Sequence, residues 1–318
     1  MTGAAPLVAV ELSAVILALD TGAEPVRPMV LTPEGPAGRD LPTAAFDPGR
    51  HRTLQTALRA WVAEQTGLEL GYVEQLYTFG DPVRSLGRAP GQPHTVSIGY
   101  LALTGPEAAQ DPDWTPWTRW FPWEDRRGAD PEARLAPIRA ALAGWAAAHR
   151  PEQAARTERI RLLFGDAAHP WRDELVLERY ELLYEADLVA EAWRDRGEDA
   201  PGNLPALGTP APRDHRRILA TGIGRLRGKL KYRPVLFELV GPAFTLLELQ
   251  RAAEAVSGVA LHKQNFRRMV ARSGLIEPTG AMSTRHGGRP AAEYRFAPEA
   301  LSERRAAAVR LGAARRVG

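Results

Sequence analysis

The chain has 318 residues, 44% hydrophobic and 25% charged, a composition typical of a globular protein with one large or two ordinary domains. It contains no cysteine, which excludes disulfide bonds, thiolate catalysis and cysteine-ligated zinc. Because no run of 18 apolar residues occurs and the apolar start has no basic segment, we expect a cytoplasmic protein with no membrane span and no signal peptide.

Charge is divided unevenly along the chain. Residues 1–212 contain 20 Lys or Arg and 30 Asp or Glu, whereas residues 213–318 contain 21 and 8. A separation of this size indicates that the C-terminal part meets a polyanion such as DNA. A genome that favours arginine would explain the preference for Arg over Lys, but it would not explain the separation.

The first hundred residues predict a mixed sheet packed by helices. An amphipathic helix is predicted at residues 53–66, with Gly67 ending it, and a loop rich in glycine and proline at residues 84–93. Four buried or half-buried strands are predicted, at residues 7–19, 26–31, 72–79 and 95–103.

The middle of the chain is rich in tryptophan and then helical. Four tryptophans recur every three residues and could stack on a nucleotide base, although internal packing is the favoured interpretation: Trp114, Trp117, Trp120 and Trp123. Helices are predicted at residues 131–149, 154–164 and 171–195. The four prolines of residues 197–213 predict a linker, which places a domain boundary near residue 213.

Residues 244–296 predict a helix, a turn, a second helix and a hairpin. Thr245 and Glu248 form the capping-box pattern at the start of the first helix, residues 246–256, which Ser257-Gly258 would end. The second helix is predicted at residues 263–273. This order is typical of a winged helix-turn-helix, which places its second helix in the DNA major groove.

The second helix has the side chains that read DNA. Phe266, Met269 and Val270 are predicted to face inward, which leaves its basic and amide side chains outward. The predicted DNA-binding residues are Lys263, Gln264, Asn265, Arg267, Arg268 and Arg272 on the helix and Arg285 and Arg289 at the hairpin tip. Two alternatives are a basic helical hairpin that docks on the acidic domain and a winged helix that binds protein.

The segment from His51 to Asp81, with a helix followed by Thr-Gly-Leu, resembles the Nudix fold. With Gly67 on the closing glycine of the Nudix box, Ala60 and Trp61 replace its Arg-Glu pair, and Arg52 replaces an earlier Glu. Only Glu64 remains of the carboxylates that would bind Mg²⁺. We therefore expect no hydrolysis, no catalytic residue and no metal. The alternative function is hydrolysis of a nucleoside diphosphate derivative such as ADP-ribose.

Further strings extend the resemblance over most of the chain: YVEQLYTFGD, VSIGYLAL, FELVGPAFTLLELQ, NFRRMV and GRPAAEYRF. Together they resemble the Nudix-related transcriptional regulators of NAD metabolism, the NrtR type and most closely its NadQ relatives. The resemblance implies a homodimeric repressor of NAD biosynthesis genes that needs no cofactor. Its Nudix-like domain would bind NAD, ADP-ribose or ATP, and its winged helices would bind a pseudo-palindromic operator in double-stranded DNA.

Several residues of the Nudix-like segment are candidate effector contacts, and each also has an interpretation in which it binds no ligand. The basic residues before the helix could face a diphosphate at the helix N-terminus or form a solvated turn. Phe79, Gly80 and Asp81, at the end of the third strand, could shape a nucleotide pocket or form an ordinary strand-ending turn. Glu64 could belong to a ligand site or be a solvated or capping group. The predicted ligand-binding residues are Arg50, His51, Arg52, Glu64, Phe79 and Asp81.

The sequence thus predicts an α+β protein of three parts. Residues 1–127 would form a Nudix-like α/β/α sensing domain, and residues 128–212 a helical connector with the proline-rich linker. Residues 213–318 would form the winged-helix domain.

Overall fold

A computed structural model of the protein describes residues 8–35, 38–80, 93–230, 234–285 and 290–297. The strands are β1 (Val8–Asp20), β2 (Arg27–Leu31), β3 (Glu34–Gly35), β4 (Gly38–Arg39), β5 (Thr43–Ala45), β6 (Val73–Phe79), β7 (His94–Leu103), β8 (Trp114–Pro116), β9 (Phe244–Thr245), β10 (Ile276–Ser283) and β11 (Ala291–Phe296). The helices are α1 (Leu54–Thr66), α2 (Pro131–Ala147), α3 (Gln153–Phe164), α4 (Val176–Glu185), α5 (Ala190–Arg194), α6 (His215–Leu230), α7 (Leu246–Ser257) and α8 (Lys263–Ser273). Within those ranges, no helix is both long and apolar enough to span a membrane.

The main sheet has the order β6-β7-β1-β2-β8, with β5 also paired to β1. The long central strands β1 and β7 are parallel, and the other pairs in this sheet are antiparallel. All four predicted N-terminal strands are confirmed to within a residue or two. The expected mixed sheet is therefore present.

Strand β1 is buried on both faces because helices cover both sides of the sheet. Val15, Leu17 and Leu19 belong to one core cluster, whereas Ile16 and Ala18, which alternate with them, belong to a second. Helix α1 packs against the second cluster and α6 against the first. The predicted α/β/α layering is therefore present, but its second helical layer comes from α6 and not from within residues 1–127.

Helix α1 begins and ends as its sequence predicts. The Thr53 hydroxyl accepts a hydrogen bond from the Thr56 backbone N–H, and the Thr53 backbone N–H donates to the Thr56 hydroxyl. Two backbone N–H groups at the start of the helix are thus satisfied. Gly67 ends the helix in the left-handed conformation at φ 67°.

Helix α6, on the other face of the sheet, was not predicted as a helix. It contains three glycines, which weaken helix propensity and hide the pattern. Two of them allow close packing: a Cβ at Gly222 would lie 2.8 Å from Val15 Cγ1, and one at Gly224 would lie 2.7 Å from the Glu174 carbonyl oxygen. The glycines thus serve the approach of α6 to the sheet and to the segment before α4.

The helical middle packs onto the same core. The single helix expected at residues 171–195 is wrong: α4 and α5 are separate, and Asp187 between them has a left-handed φ of 58°. A right-handed α-helix cannot continue through a residue with a left-handed φ. The four recurring tryptophans are all buried, as the packing interpretation predicts.

The proline-rich segment at residues 197–213 is not a free linker. Leu207 and Ala211 are buried, and the Thr209 N–H donates to the Arg119 carbonyl oxygen at 2.9 Å. A side chain at Gly208 would overlap the backbone of Trp120. The segment is therefore packed against the tryptophan-rich turn along much of its length.

The described part of residues 244–296 folds as predicted for a winged helix-turn-helix. Helices α7 and α8 follow one another, and strands β10, β11 and β9 form a three-stranded antiparallel sheet. The capping box of Thr245 and Glu248 is present, and Gly258 ends α7 in the left-handed conformation at φ 73°. Phe237 stacks on Phe296 with ring centroids 4.5 Å apart, which ties the start of this unit to its last strand.

The boundary expected near residue 213 does not coincide with a break in packing. Helix α6 lies on the main sheet and against α4, and its residues share one core cluster with both the sheet and α7. The layered domain therefore takes its second helical cover from residues 215–230.

Candidate functional site

Helix α8 presents a polar, basic surface. Only Phe266 and Val270 of this helix are buried, at i and i+4, and they face the core of the winged helix. Lys263, Gln264, Asn265, Arg267, Arg268 and Arg272 are all exposed, so the structure brings these six predicted DNA contacts onto one helix. On this surface, Arg268 Nη2 donates to Asn265 Oδ1 at 3.0 Å.

Met269 is the exception to the predicted inward stripe. Its side chain is 60% exposed, so the expectation that it packs inward is wrong. Helix α8 contacts the rest of the unit along a narrow strip of its surface. Val270, four residues after Phe266, lies within this strip, whereas Met269, three residues after Phe266, lies outside it. Met269 therefore shares the exposed face with the arginines.

Two side chains of α7 fix the turn before α8. Gln250 Nε2 donates to the Leu261 carbonyl oxygen at 3.1 Å, and the Leu261 N–H donates to Glu254 Oε1 at 2.9 Å. Gln250 and Glu254 also contact each other at 3.0 Å. These contacts hold the angle at which α8 is presented. They are not among the predicted functional residues, although a Gln and a Glu four residues apart on α7 are a pattern from which a mutual contact could be predicted.

Arg285 at the wing is already engaged with carboxylates. Its guanidinium lies 2.5 Å from Glu293 Oε1 and 3.6 Å from Glu248 Oε1, and the bond to Glu293 raises the pKa of Arg285. Since these pairs offset its charge, Arg285 has less charge to offer a phosphate than the arginines of α8. Arg289 lies outside the described residues.

A buried ionic cluster joins the layered domain to the winged helix. Glu124, Arg179 and Arg227 are all 0% exposed, and Glu124 Oε1 accepts from Arg179 Nε at 2.6 Å while Glu124 Oε2 pairs with Arg227. Burial would raise the pKa of Glu124, but the charges of the two arginines and their hydrogen bonds outweigh it, so the pKa is lowered. Glu124 therefore remains ionised between the two cations.

The same cluster is hydrogen-bonded to the C-terminal end of α7. Arg227 Nε donates to the Val256 carbonyl oxygen at 2.8 Å, and the Arg126 N–H donates to the Gly258 carbonyl oxygen at 2.7 Å. These bonds satisfy carbonyls that a helix end leaves unpaired. A displacement of the segment around Glu124 or of α6 would thus act directly on the turn that positions α8.

The predicted effector residues lie on two different faces of the sheet. Arg50, His51 and Arg52 precede α1, and Glu64 is exposed near its end. Phe79 lies on the α6 face, where a Cβ at Gly99 would meet both it and Ile218. The sheet therefore separates Phe79 from the other four, and Asp81 lies outside the described residues.

The residue that replaces a box carboxylate has a structural role. Trp61 is buried and packs in the core cluster between α1 and the sheet. Among the described residues, no group of three His, Asp or Glu side chains is arranged to hold a metal ion. Glu64 is the one box position that keeps a carboxylate, and its side chain faces solvent.

Six of the 21 Lys and Arg side chains of the C-terminal part are neutralised within the protein. All six Lys and Arg side chains at residues 213–229 pair with carboxylates of residues 1–212: Arg213 with Glu11 and Asp40, Arg216 with Glu191, Arg217 with Glu181, Arg225 and Lys229 with Glu74, and Arg227 with Glu124. The charge separation therefore has two structural causes: the ion pairs that join α6 to the rest of the protein, and the exposed basic surface of α8.

Comparison with known proteins identifies the C-terminal unit. Residues 236–296 match the family model described as the NrtR DNA-binding winged helix domain. The C-terminal unit is thus similar to that DNA-binding domain. The match begins after α6, so the NrtR-type winged helix consists of the segment before β9, helices α7 and α8, and the three-stranded sheet.

A curated relative and two solved structures are similar to this chain. The "ADPR responsive transcriptional repressor NtrR" of Acinetobacter baylyi is 42% identical over 84 residues, which are 26% of this chain and 33% of the relative, so the match spans about a third of its length. The crystal structure of Shewanella oneidensis NrtR with a 27mer DNA is 21% identical, covers 92% of this chain and 95% of its own, and has a TM-score of 0.52. A second crystal structure of Shewanella oneidensis NrtR is 19% identical, covers 92% of this chain and 96% of its own, and has a TM-score of 0.50. Both structures show the same overall fold, a layered domain followed by an NrtR-type winged helix.

Proposed function

We propose that this protein is a transcriptional repressor that binds DNA through α8 and is released from it by an ADP-ribose-like nucleotide bound to the layered domain. The observation that carries the proposal is an NrtR-type winged helix whose α8 displays six exposed amide or basic side chains. A relative is described as an ADPR responsive transcriptional repressor, which supports both the sign of regulation and the class of effector. NAD biosynthesis genes are the targets that we expect, and a chromosome-binding protein would act in the cytoplasm.

The route from effector to DNA runs through the buried cluster. Glu124 and Arg227 join the turn after β8, helix α6 and the end of α7, so two positions of α6 would give two positions of α8. A nucleotide must bind these two states with different affinity to change DNA binding. Homodimerisation, which would let two α8 helices read the halves of a pseudo-palindrome, remains a prediction that light scattering of the purified protein would test.

Two rival functions are weaker. Hydrolysis of a nucleoside diphosphate derivative would need metal-binding carboxylates, and the box position at residue 61 is a core tryptophan. A protein-binding winged helix would not need arginines at 267, 268 and 272 on the exposed face. Incubation with ADP-ribose and Mg²⁺ would test the first, and a DNA affinity with steep salt dependence but no preferred sequence would support the second.

The deciding experiment is a selection of genomic DNA fragments by the purified full-length protein, followed by fluorescence anisotropy with the enriched sequence. We expect a palindrome to be enriched, and we expect ADP-ribose, added at increasing concentration, to release the DNA. NAD and ATP are titrated in parallel to identify the effector. A bound pool without an enriched motif would contradict the proposal.

Substitutions on α8 test which side chains read the bases. Arg267→Ala and Arg268→Ala should each weaken operator binding by about 1–3 kcal/mol if the side chain contacts a base. Arg225→Gln is a matched control, since Arg225 belongs to the same basic half but lies on α6 and pairs with Glu74 Oε1 of β6 at 3.1 Å. Operator affinities of both α8 variants equal to that of Arg225→Gln would show that α8 does not read DNA.

A further inference from the structure

A polar cavity of about 300 Å³ lies beside α2, outside the layered sheet and the winged helix. Its walls come from the start and middle of α2, the segment that precedes α2, and the turn after α3. The lining residues are Arg126, Glu132, Arg139, Gly165, Asp166, Ala167, His169 and Trp171. None of them belongs to the proposed DNA surface or to the predicted effector contacts.

Two arginines in this cavity share one carboxylate. Arg126 Nη2 lies 2.6 Å from Glu132 Oε1, and Arg139 Nη1 lies 2.5 Å from Glu132 Oε2. The Glu132 side chain is 53% exposed, so it approaches the two guanidinium groups from the solvent side. Planar guanidinium groups bind carboxylate and phosphate oxygens in the same fork geometry. Glu132 thus occupies the place that a free oxyanion would take.

Charges of both signs line the cavity or lie behind it. Burial lowers the pKa of Arg126, and the charges of Arg139 and Arg179 lower it further, while Glu132 and Glu124 act in the opposite direction. Arg179 is paired with the buried Glu124, and Asp166 of the lining is bonded to His169, so Glu132 is the carboxylate that Arg126 and Arg139 share. A doubly charged anion would attract these two guanidinium groups more strongly than the single charge of Glu132.

Unused hydrogen-bond donors add to the case for an anion. Arg139 Nε and Trp171 Nε1 are buried, and neither has an acceptor within the part of the chain that the structure describes. Buried donors in folded proteins normally have a partner. The guanidinium groups of Arg126 and Arg179 lie over the Trp171 ring, at 4.5 Å and 3.8 Å from its centroid.

We infer that this cavity binds a small phosphate-class oxyanion between Arg126 and Arg139, in exchange for the carboxylate of Glu132. The volume is at the lower end of ligand pockets, which suits inorganic phosphate or pyrophosphate. The phosphate group of a mononucleotide has the same chemistry and is separated from the free anions by the test.

The test is isothermal titration calorimetry of the full-length protein with phosphate, pyrophosphate and AMP, at an ionic strength held constant with chloride. We expect saturable binding of phosphate or pyrophosphate. Arg139→Gln should weaken it at least about tenfold, because it removes one of the two cations, a difference of about 1.4 kcal/mol. Glu132→Gln should strengthen it several-fold, because the competing carboxylate is gone.

Arg156→Gln is the matched control. Arg156 also lies over a tryptophan, Trp145, and pairs with a glutamate, Glu152, but it lies outside the cavity. The affinity of the Arg156→Gln variant for the anion should equal that of the wild type.

The titration with AMP separates the two sources of phosphate. If AMP binds the wild type and binds Arg139→Gln more weakly, the site takes a nucleotide phosphate, and if AMP does not bind, the site takes a free anion. The absence of saturable binding in both the wild type and Glu132→Gln would overturn the inference, as would equal affinities of Arg139→Gln and Arg156→Gln.

Discussion

Glu124 is the residue on which three parts of the molecule depend. It is fully buried between Arg179 of α4 and Arg227 of α6, and its backbone carbonyl accepts from Arg227 Nη2 at 3.0 Å. Replacing it with Gln keeps the shape but removes the carboxylate charge that the two buried guanidinium groups share. We expect Glu124→Gln to lower the free energy of unfolding by about 3–5 kcal/mol, the cost of breaking a buried pair.

Urea denaturation of Glu124→Gln measures this effect, with Glu185→Gln as the control. Glu185 also pairs with an arginine, Arg159, but both side chains are more than 40% exposed. Exposed pairs contribute about 0–1 kcal/mol, so the control should unfold close to the wild type. A loss in Glu124→Gln no larger than that in Glu185→Gln would mean that the cluster is not the strong link that its burial indicates.

Acid should act on the same carboxylate. The pKa of Glu124 in the folded protein lies below its ordinary value of 4.5, because the attraction of Arg179 and Arg227 outweighs the effect of burial. The unfolded chain therefore binds the proton more readily, so the stability that Glu124 contributes is present above about pH 4.5 and is lost as the pH falls below it. Unfolding free energies measured from pH 6 down to pH 3 should fall less steeply in Glu124→Gln than in the wild type.

At the scale of one element, α6 decides how the two ends of the chain meet. Gly224 lies where a Cβ would be 2.7 Å from the Glu174 carbonyl oxygen, whereas a Cβ at Gly228, on the same helix, would meet nothing within 4 Å. Gly224→Ala should destabilise the protein by about 1–3 kcal/mol because the backbone must shift. Gly228→Ala should stabilise it by about 0.5–1 kcal/mol through helix propensity.

Thermal unfolding of the two variants gives a direct comparison, since they differ only in the position of one methyl group on one helix. The expected result is a lower midpoint for Gly224→Ala and a higher one for Gly228→Ala. Equal shifts of the same sign would mean that α6 does not pack as closely as the structure indicates.

The contrast between α6 and α7 explains what sequence patterns could predict. Helix α7 has a capping box at Thr245 and Glu248 and a terminal Gly258, which are local signals, and its bounds are confirmed. Helix α6 owes its glycines to distant partners, Val15 and the backbone of Glu174, so no local pattern predicts it as a helix. Local chemistry is visible in a sequence, whereas close packing between distant segments is not.

The candidate site divides in the same way. The side chains of α8 follow from helical periodicity, apart from Met269, which depends on how narrow the contact with α7 is. The face on which Phe79 lies could not be predicted, because an irregularity in the pairing of β6 with β7 between Gln75 and Thr78 changes the alternation. The Glu124 cluster joins residues more than 100 positions apart in the sequence, so no spacing pattern in the sequence predicts it.

At the scale of the whole molecule, the core is continuous from the sheet to α8. One cluster of buried side chains includes Val15 of β1, Ile223 of α6 and Val256 of α7, and it extends to Phe266 and Val270 of α8. We therefore expect the layered domain and the winged helix to unfold in one transition, since neither can expose its share of this core without exposing part of the other.

The chain provides a natural probe for this last prediction. All eight tryptophans lie between Trp61 and Trp193, so tryptophan fluorescence reports on the layered domain and the helical middle, and hydrogen exchange of peptides from residues 246–273 reports on α7 and α8. In a urea series the two signals should share one midpoint, and saturating ADP-ribose should move both midpoints upward together, because a ligand of the folded state stabilises everything that unfolds with its site. If α7 and α8 lose protection at a lower urea concentration than the one that changes the fluorescence, the winged helix unfolds independently. In that case the effector would have to reach the DNA-binding helix by rigid-body movement of a separate unit rather than through the shared core.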